Sequence, residues 1–263
     1  MTRPGRARKR FGQHFLADES VISRMVSAIH PRSGEQLVEI GPGRGALTEA
    51  LLDSAAELVA IELDRDLLPL LQKRFRECGN FRVLGGDALN LDYSSLAQPG
   101  KPLRIVGNLP YNISTPLIFH LLGFAEGIQD MHFMLQLEVV NRLAARPGNR
   151  NWGRLGIMAQ YHCQVESLFA VAPDAFSPPP KVRSGVVRLR PHTGSGTNTQ
   201  RRDRLQTVVR AAFSQRRKTL RNSLRDLVSV QQLQGLGISP SARAETLDLQ
   251  QFLALSDLLE AHQ

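Results

Sequence analysis

At 263 residues and 42% apolar composition, the chain has the length for one large α/β domain with a smaller appendage. Its net charge of +9 points to an anionic polymer or surface as partner, because each Lys or Arg beside a phosphate releases condensed counterions. Cys78 and Cys163 are too few for a disulfide framework, the seven histidines lack ligand spacing and no apolar stretch nears the roughly 20 residues of a membrane span, so the expectation is a cytoplasmic monomer with no metal and no membrane.

The N-terminus carries Arg3, Arg6, Arg8, Lys9 and Arg10 with no acid among them, and no apolar run follows, so no secretory signal is expected. Val21, Ile22, Met25, Val26 and Ile29 then mark an amphipathic helix. Strand-like apolar runs recur at Gln36–Ile40, Leu58–Glu62, Arg82–Gly86, Arg104–Asn108 and Met131–Gln136. Helical patterns such as Leu47, Leu51, Leu52 and Leu67, Leu70, Leu71 separate them. Spacings of about 20 to 25 residues fit βα units feeding a parallel sheet. Two later runs, Tyr161–Val171 and Val186–Arg190, are expected to close the sheet as a hairpin-like pair.

Residues 191–200, from Pro191 to Gln200, are polar, rich in Gly, Ser and Thr, and aperiodic, as a linker would be. Beyond them, Leu205, Val208, Val209, Ala212 and Phe213 mark one helix. Leu220, Leu224, Leu227 and Val228 mark a second, and Leu247 to Leu259 a third. The expected organisation is therefore an α/β domain over 1–190, a linker over 191–200 and a helical domain over 201–263.

Val38-Glu39-Ile40-Gly41-Pro42-Gly43-Arg44-Gly45 reads as strand, glycine-rich turn and helix start. Glycines permit positive φ and close backbone approach to a ligand. The turn satisfies both the loosened dinucleotide form and the G-x-G-x-G form of methyltransferases, so the glycines alone leave both open. Glu62 ends the second strand, where a carboxylate can accept both hydroxyls of a ribose. Asp87 follows the third strand and Asn108 the fourth. Any one of these is explicable as a helix cap. Polar residues at successive strand ends instead face one crevice of an open α/β sheet.

Asn108-Leu109-Pro110-Tyr111 is the most informative stretch. The Asn108 side-chain oxygen and the Leu109 or Pro110 carbonyl can accept hydrogen bonds from an exocyclic amine, and Tyr111 offers a face for a flat heterocycle. Proline brings no N–H to compete. Cations also gather in two further groups. Arg142, Arg146, Arg150 and Arg154 surround Trp152, which we read as a loop anchor. Arg216, Arg217, Lys218, Arg221 and Arg225 lie on the second C-terminal helix, with Arg217, Arg221 and Arg225 at i, i+4 and i+8. Three such groups beside a base-modifying pocket favour phosphate contact over merely solvated faces.

Phe11-Gly12-Gln13-His14-Phe15-Leu16, Glu39-Ile40-Gly41-Pro42-Gly43, Ile61-Glu62-Leu63-Asp64, Gly86-Asp87-Ala88 and Asn108-Leu109-Pro110-Tyr111-Asn112-Ile113-Ser114 resemble, in order, the motifs of the ribosomal RNA adenine N6-dimethyltransferases. The likeness is closer to the bacterial small-subunit enzymes and continues through Phe133-Met134-Leu135-Gln136, Phe176-Ser177-Pro178-Pro179-Pro180-Lys181-Val182 and Gln215–Leu224. It implies a class I, Rossmann-like methyltransferase sheet followed by a helical domain, with S-adenosylmethionine as cofactor. It implies dimethylation of two adjacent adenines in the 3′-terminal hairpin of 16S ribosomal RNA within the small subunit, and a part in subunit assembly. By the same likeness His14, Leu16, Gly41, Glu62, Asp87 and Asn108 contact the cofactor, and Phe176 faces Tyr111 across the base, completing a catalytic set of Asn108, Leu109, Pro110, Tyr111 and Phe176. Arg8, Lys9, Arg10, Arg217, Lys218 and Arg221 are the candidate RNA contacts. The chain departs from its resemblance at His14, where many relatives have Asn, and at Leu137, where a basic residue is common. The alternatives are a large-subunit methyltransferase of the macrolide-resistance type, a non-catalytic RNA-binding assembly factor on the same fold and, more distantly, an NAD dehydrogenase.

Overall fold

The computed structural model describes residues 13–54, 56–192, 199–215 and 217–259. Arg8, Lys9, Arg10 and Arg216, with most of the expected linker, lie outside the described residues. The first elements in chain order are β1 (Phe15–Leu16), α1 (Glu19–Ile29), β2 (Gln36–Ile40), α2 (Ala46–Leu52), β3 (Glu57–Glu62), α3 (Leu68–Arg74), β4 (Phe81–Gly85), β5 (Leu103–Asn108), α4 (Ser114–Leu122) and β6 (Ile128–Gln136). They are followed by α5 (Leu137–Leu143), α6 (Arg154–His162), β7 (Cys163–Val171), β8 (Phe176–Ser177) and β9 (Ser184–Pro191). The last four elements are α7 (Thr199–Ala212), α8 (Leu220–Ser223), α9 (Val230–Gly235) and α10 (Leu249–Asp257).

Seven strands form one sheet in the order β4-β3-β2-β5-β6-β9-β7. The first five pair in parallel, and β9 runs antiparallel to β6 with Met131 opposite Leu189. All five residues of β2 are buried, as are five of the six in β3, because helices cover both faces of such a sheet. Val21, Met25 and Ile29 of α1 and Leu47 and Leu51 of α2 pack on Leu37, Leu58 and Val106. Each such side chain contributes about 1.5–3 kcal/mol relative to exposure.

Helix α1 starts at Asp18, whose carboxylate accepts from the amides of Ser20 and Val21 at 2.8 and 3.2 Å. Its last carbonyls meet Arg104, which reaches the oxygen of Ile29 while bidentately bound to Asp130 at 2.9 Å and paired with Glu35 at 2.7 Å. The guanidinium ties the end of α1 to β5 and β6, and removing it leaves Asp130 buried and unpaired, a loss of about 3–5 kcal/mol.

The chain runs β2-β3-β4 outward, then returns to place β5 on the other side of β2. The strand order therefore reverses between β2 and β5, and a crevice opens beyond their carboxyl ends. Gly107 permits the close approach there, since a Cβ on it would sit 2.4 Å from the carbonyl oxygen of Ile40.

By contacts the chain divides into two compact units, Met1–Val140 with Glu166–Pro191 and Asn141–Val165 with His192–Gln263. Residues 141–165 thus group with the C-terminal helices, whereas the sequence reading put them in the first domain. The reason is apolar: Trp152 and Ile157 share a core with Leu205, Val208, Leu220 and Phe252. Trp152 is an anchor, buried with its indole N–H donating to the carbonyl of Leu247 at 2.8 Å. Capping boxes start α9 at Ser229 with Gln232 and α10 at Asp248 with Gln251. The strand expected from Tyr161 begins at Cys163, because the preceding residues form α6.

The helix expected over Leu220–Val228 is a single turn. The amides of Leu220 and Arg221 donate to the carbonyls of Ala242 and Pro240, so a loop satisfies them and the helix starts at Leu220, excluding Arg217 and Lys218. Leu220, Leu224 and Val228 are buried, as their periodicity implied, but on a helical turn followed by irregular chain. Arg217 and Lys218 therefore lie on a turn and only Arg221 on α8, all three exposed; the i, i+4, i+8 helical stripe does not form.

Candidate active site

The glycine-rich turn after β2 is built on three left-handed residues, Gly41, Gly43 and Gly45, with φ of 69°, 59° and 82°. A Cβ at Gly43 would lie 2.8 Å from the Phe15 ring, so glycine is needed for space as well as φ. At the end of β3, Glu62 is held by two amides, Gly43 N–H at 3.2 Å and Asp64 N–H at 2.8 Å. Burial raises its carboxyl above the usual range, and the two amide donors oppose that shift. After β4, Asp87 accepts from the Leu89 amide at 3.0 Å and from the Asn90 side chain at 3.1 Å. Each carboxylate oxygen keeps a second lone pair.

At the end of β5 the tetrapeptide is fastened at every residue. The Asn108 amide nitrogen donates to the carbonyl of His14 at 2.9 Å. Leu109 is buried, and its N–H donates to Met134 at 3.1 Å. The Pro110 carbonyl accepts from Ile113 at 3.2 Å, while among the described residues no donor meets the Leu109 carbonyl. The Tyr111 hydroxyl meets the hydroxyl of Ser184 at 2.7 Å, and the His14 ring lies 5.9 Å from the Tyr111 ring at 26° to it. His14 Nδ1 is 2.8 Å from the carbonyl of Pro178; since a carbonyl only accepts, Nδ1 carries the proton.

These groups line one cleft of about 460 Å³. His14, Leu16, Gly41, Glu62, Asp87, Asn108, Leu109, Pro110 and Tyr111 all meet there, drawn from four strand ends and from β1. Phe176 does not. It is 3% exposed and packs with Leu16, Val21, Met25 and Ala175, directly across the β1–β8 pair from Leu16. The expected aromatic face opposite Tyr111 is thus core in this structure, because the short β8 strand turns the Phe176 ring inward and leaves its neighbour Ser177 at the cleft.

The sequence pattern does not single out two further groups, one lining the cleft and one buried behind it. Glu39, on β2, is 2% exposed, lines the cleft and accepts from the Thr48 hydroxyl at 2.6 Å. Burial pushes its carboxyl up to about 7. Its signal was present as the lone acid inside an apolar strand. Ser184, fully buried, had none, being 73 residues from the Tyr111 it holds. Among the described residues no group of three or more His, Cys, Asp or Glu gathers as a metal site needs. No helix among them is long and apolar enough to cross a membrane.

Glu62 and Glu39 thus bring two carboxyls to the walls of one cleft. A family model described as ribosomal RNA adenine dimethylase matches residues 5–261. The chain belongs to this family. Among similar members, the ribosomal RNA small subunit methyltransferase A of Pseudomonas aeruginosa is 58% identical over 254 residues, covering 97% of this chain and 95% of the relative. That of Hahella chejuensis is 56% identical over 256 residues, covering 97% and 94%. Among solved structures, a dimethyladenosine transferase from Plasmodium falciparum superposes with a TM-score of 0.80 at 28% identity, covering 92% of this chain and 96% of the other. The 23S ribosomal RNA methyltransferase ErmE superposes at 0.73 with 26% identity, covering 94% and 99%. The fold is thus shared with both a dimethyladenosine transferase and a 23S ribosomal RNA methyltransferase.

Proposed function

We propose that this dimethylase uses S-adenosylmethionine to methylate N6 of two adjacent adenines in the 3′-terminal hairpin of 16S ribosomal RNA, acting on the small subunit in the cytoplasm during its assembly. The single observation that carries the chemistry is the Asn108 side chain. With its nitrogen committed to the His14 carbonyl, its oxygen is left as an acceptor beside the Leu109 carbonyl.

Adenine N6 is a weak nucleophile because its lone pair is delocalised into the ring. Two fixed acceptors on its N–H groups draw the nitrogen toward tetrahedral geometry and free that pair. They also stabilise the positive charge that develops on N6, with no reorganisation required. S-adenosylmethionine supplies an electrophilic methyl on a sulfonium. Glu62 takes the ribose hydroxyls and Asp87 the adenine amine of the cofactor, while Gly41 allows the backbone to come close. Tyr111 stacks on the target base, a contact worth about 1–3 kcal/mol. No strong base is needed, since the alkylated nitrogen is acidic and releases its proton to water.

Small-subunit specificity is supported by the 55–58% identity to small-subunit enzymes over nearly the whole chain. Arg8, Lys9, Arg10, Arg217, Lys218 and Arg221 are proposed to hold ribosomal RNA phosphates. The test is incubation with labelled S-adenosylmethionine and either unmethylated small subunits or large-subunit RNA, followed by mapping of modified bases. Label confined to large-subunit RNA overturns the reading.

A further inference from the structure

The loop between β8 and β9 is held at both ends, by Tyr111 at one and by His14 at the other. At its far end the Ser184 hydroxyl meets the Tyr111 hydroxyl at 2.7 Å. At its near end the Pro178 carbonyl holds the His14 ring, which lies nearly parallel to Tyr111. Between these points Pro180 is buried, and the Arg183 carbonyl accepts from the Leu137 amide at 2.9 Å. Three consecutive prolines further limit the conformations open to the loop.

The crest of this held loop is Lys181-Val182-Arg183, all exposed. Val182 is 45% exposed. It lies two residues from Ser184, so its Cα is within about 7 Å of the residue that grips Tyr111. No acid occurs between Asp174 and Pro191, and among the described residues neither Lys181 nor Arg183 has an ion-pair or side-chain hydrogen-bond partner. Two unpaired cations flanking an apolar side chain, on a stiff support next to the residue that holds Tyr111, match a nucleic-acid strand with one base drawn out. The phosphates either side need charge, and the base left behind needs an apolar face.

We propose that the Lys181-Val182-Arg183 crest is the docking surface for the RNA strand that carries the target adenine. Lys181 and Arg183 hold the phosphates flanking that nucleotide, and Val182 packs against the neighbouring base. The proposal rests on Tyr111 facing the target base.

The test measures kcat/KM on unmethylated small subunits across a salt series for the wild type, Lys181→Gln, Arg183→Gln, their double variant and Val182→Ser. Each charge variant is expected to make the log–log salt slope shallower by about 0.7, so the double variant loses roughly sevenfold less between 50 and 200 mM salt. Val182→Ser is expected to lower kcat/KM about fivefold at an unchanged slope. Tm and the Kd for S-adenosylmethionine stay at wild-type values throughout. A double variant with wild-type slope overturns the proposal, as does a change in cofactor Kd in place of the slope change. Failure of the base-pocket reading itself shows separately, as wild-type methylation by Tyr111→Ala.

Discussion

The side-chain amide of Asn108 donates to the carbonyl of His14 at 2.9 Å, joining residues 94 positions apart. That bond orients the acceptor oxygen of Asn108 and fastens the segment leading into β1 to the end of β5. Asn108→Ala removes the acceptor and is expected to lower the single-turnover methylation rate by about 10²–10³. Circular dichroism should show an unchanged fold. Asn108→Asp keeps an acceptor but loses the donor and sets a carboxylate against the His14 carbonyl, so it should also weaken cofactor binding. A rate for Asn108→Ala within tenfold of the wild type would remove Asn108 from the chemistry.

Ser184, which is fully buried, meets the tetrapeptide at the Tyr111 hydroxyl. Tyr111→Phe and Ser184→Ala each break the 2.7 Å hydroxyl contact, which is worth about 1 kcal/mol, and each should lower kcat severalfold. In a double-mutant cycle the second substitution should then add almost nothing. Fully additive losses would show that Ser184 does something other than hold the Tyr111 ring.

Phe176→Ala opens a cavity under the β1–β8 pair and is expected to cost about 3–5 kcal/mol, read as a lowered Tm. Because Leu16 lies directly across that pair, cofactor affinity should fall together with turnover. Phe176→Leu fills most of the cavity and should recover both. Lost turnover in Phe176→Leu, with wild-type Tm and cofactor Kd, would instead mean that the ring meets the base.

The Glu39 carboxyl, raised by burial to about 7 from a value near 4.5, favours the folded state in its protonated form. Its contribution is present in full below about pH 4.5 and is lost as pH rises through about 7, a change of up to about 3 kcal/mol. Glu39→Gln should therefore flatten the stability of the cofactor-free protein between pH 5 and 8. Cofactor affinity should change in the opposite sense, since a cationic ligand favours the carboxylate and binding should tighten as pH rises. Calorimetry in two buffers of different ionisation enthalpy would detect the proton released on binding. Equal release of protons by the wild type and Glu39→Gln would exclude Glu39 as the source.

Much of this site was legible from local pattern. Strands β2, β3 and β5 are covered on both faces, so each had to be an apolar run, and the functional groups had to stand at the run's end. The expected bounds of β2 agree with the structure residue for residue. Glycines at 41, 43 and 45 marked a turn because few other residues hold a left-handed backbone there. Helix α8 was misjudged because periodicity reports which side chains are buried and says nothing of where the amides go; those of Leu220 and Arg221 go to Ala242 and Pro240.

By itself, then, the sequence determined the order of strands and turns, the glycine cradle, the acids at strand ends and the tetrapeptide after β5, since each depends on neighbours in the chain. Only the tertiary structure decided that Phe176 turns into the core, that Glu39 shares the cleft with Glu62, that residues 141–165 join the helical unit and that Ser184 holds Tyr111. Those outcomes depend on contacts between distant residues, whose free energy is settled by packing and by competition for buried hydrogen bonds, and no local pattern encodes them.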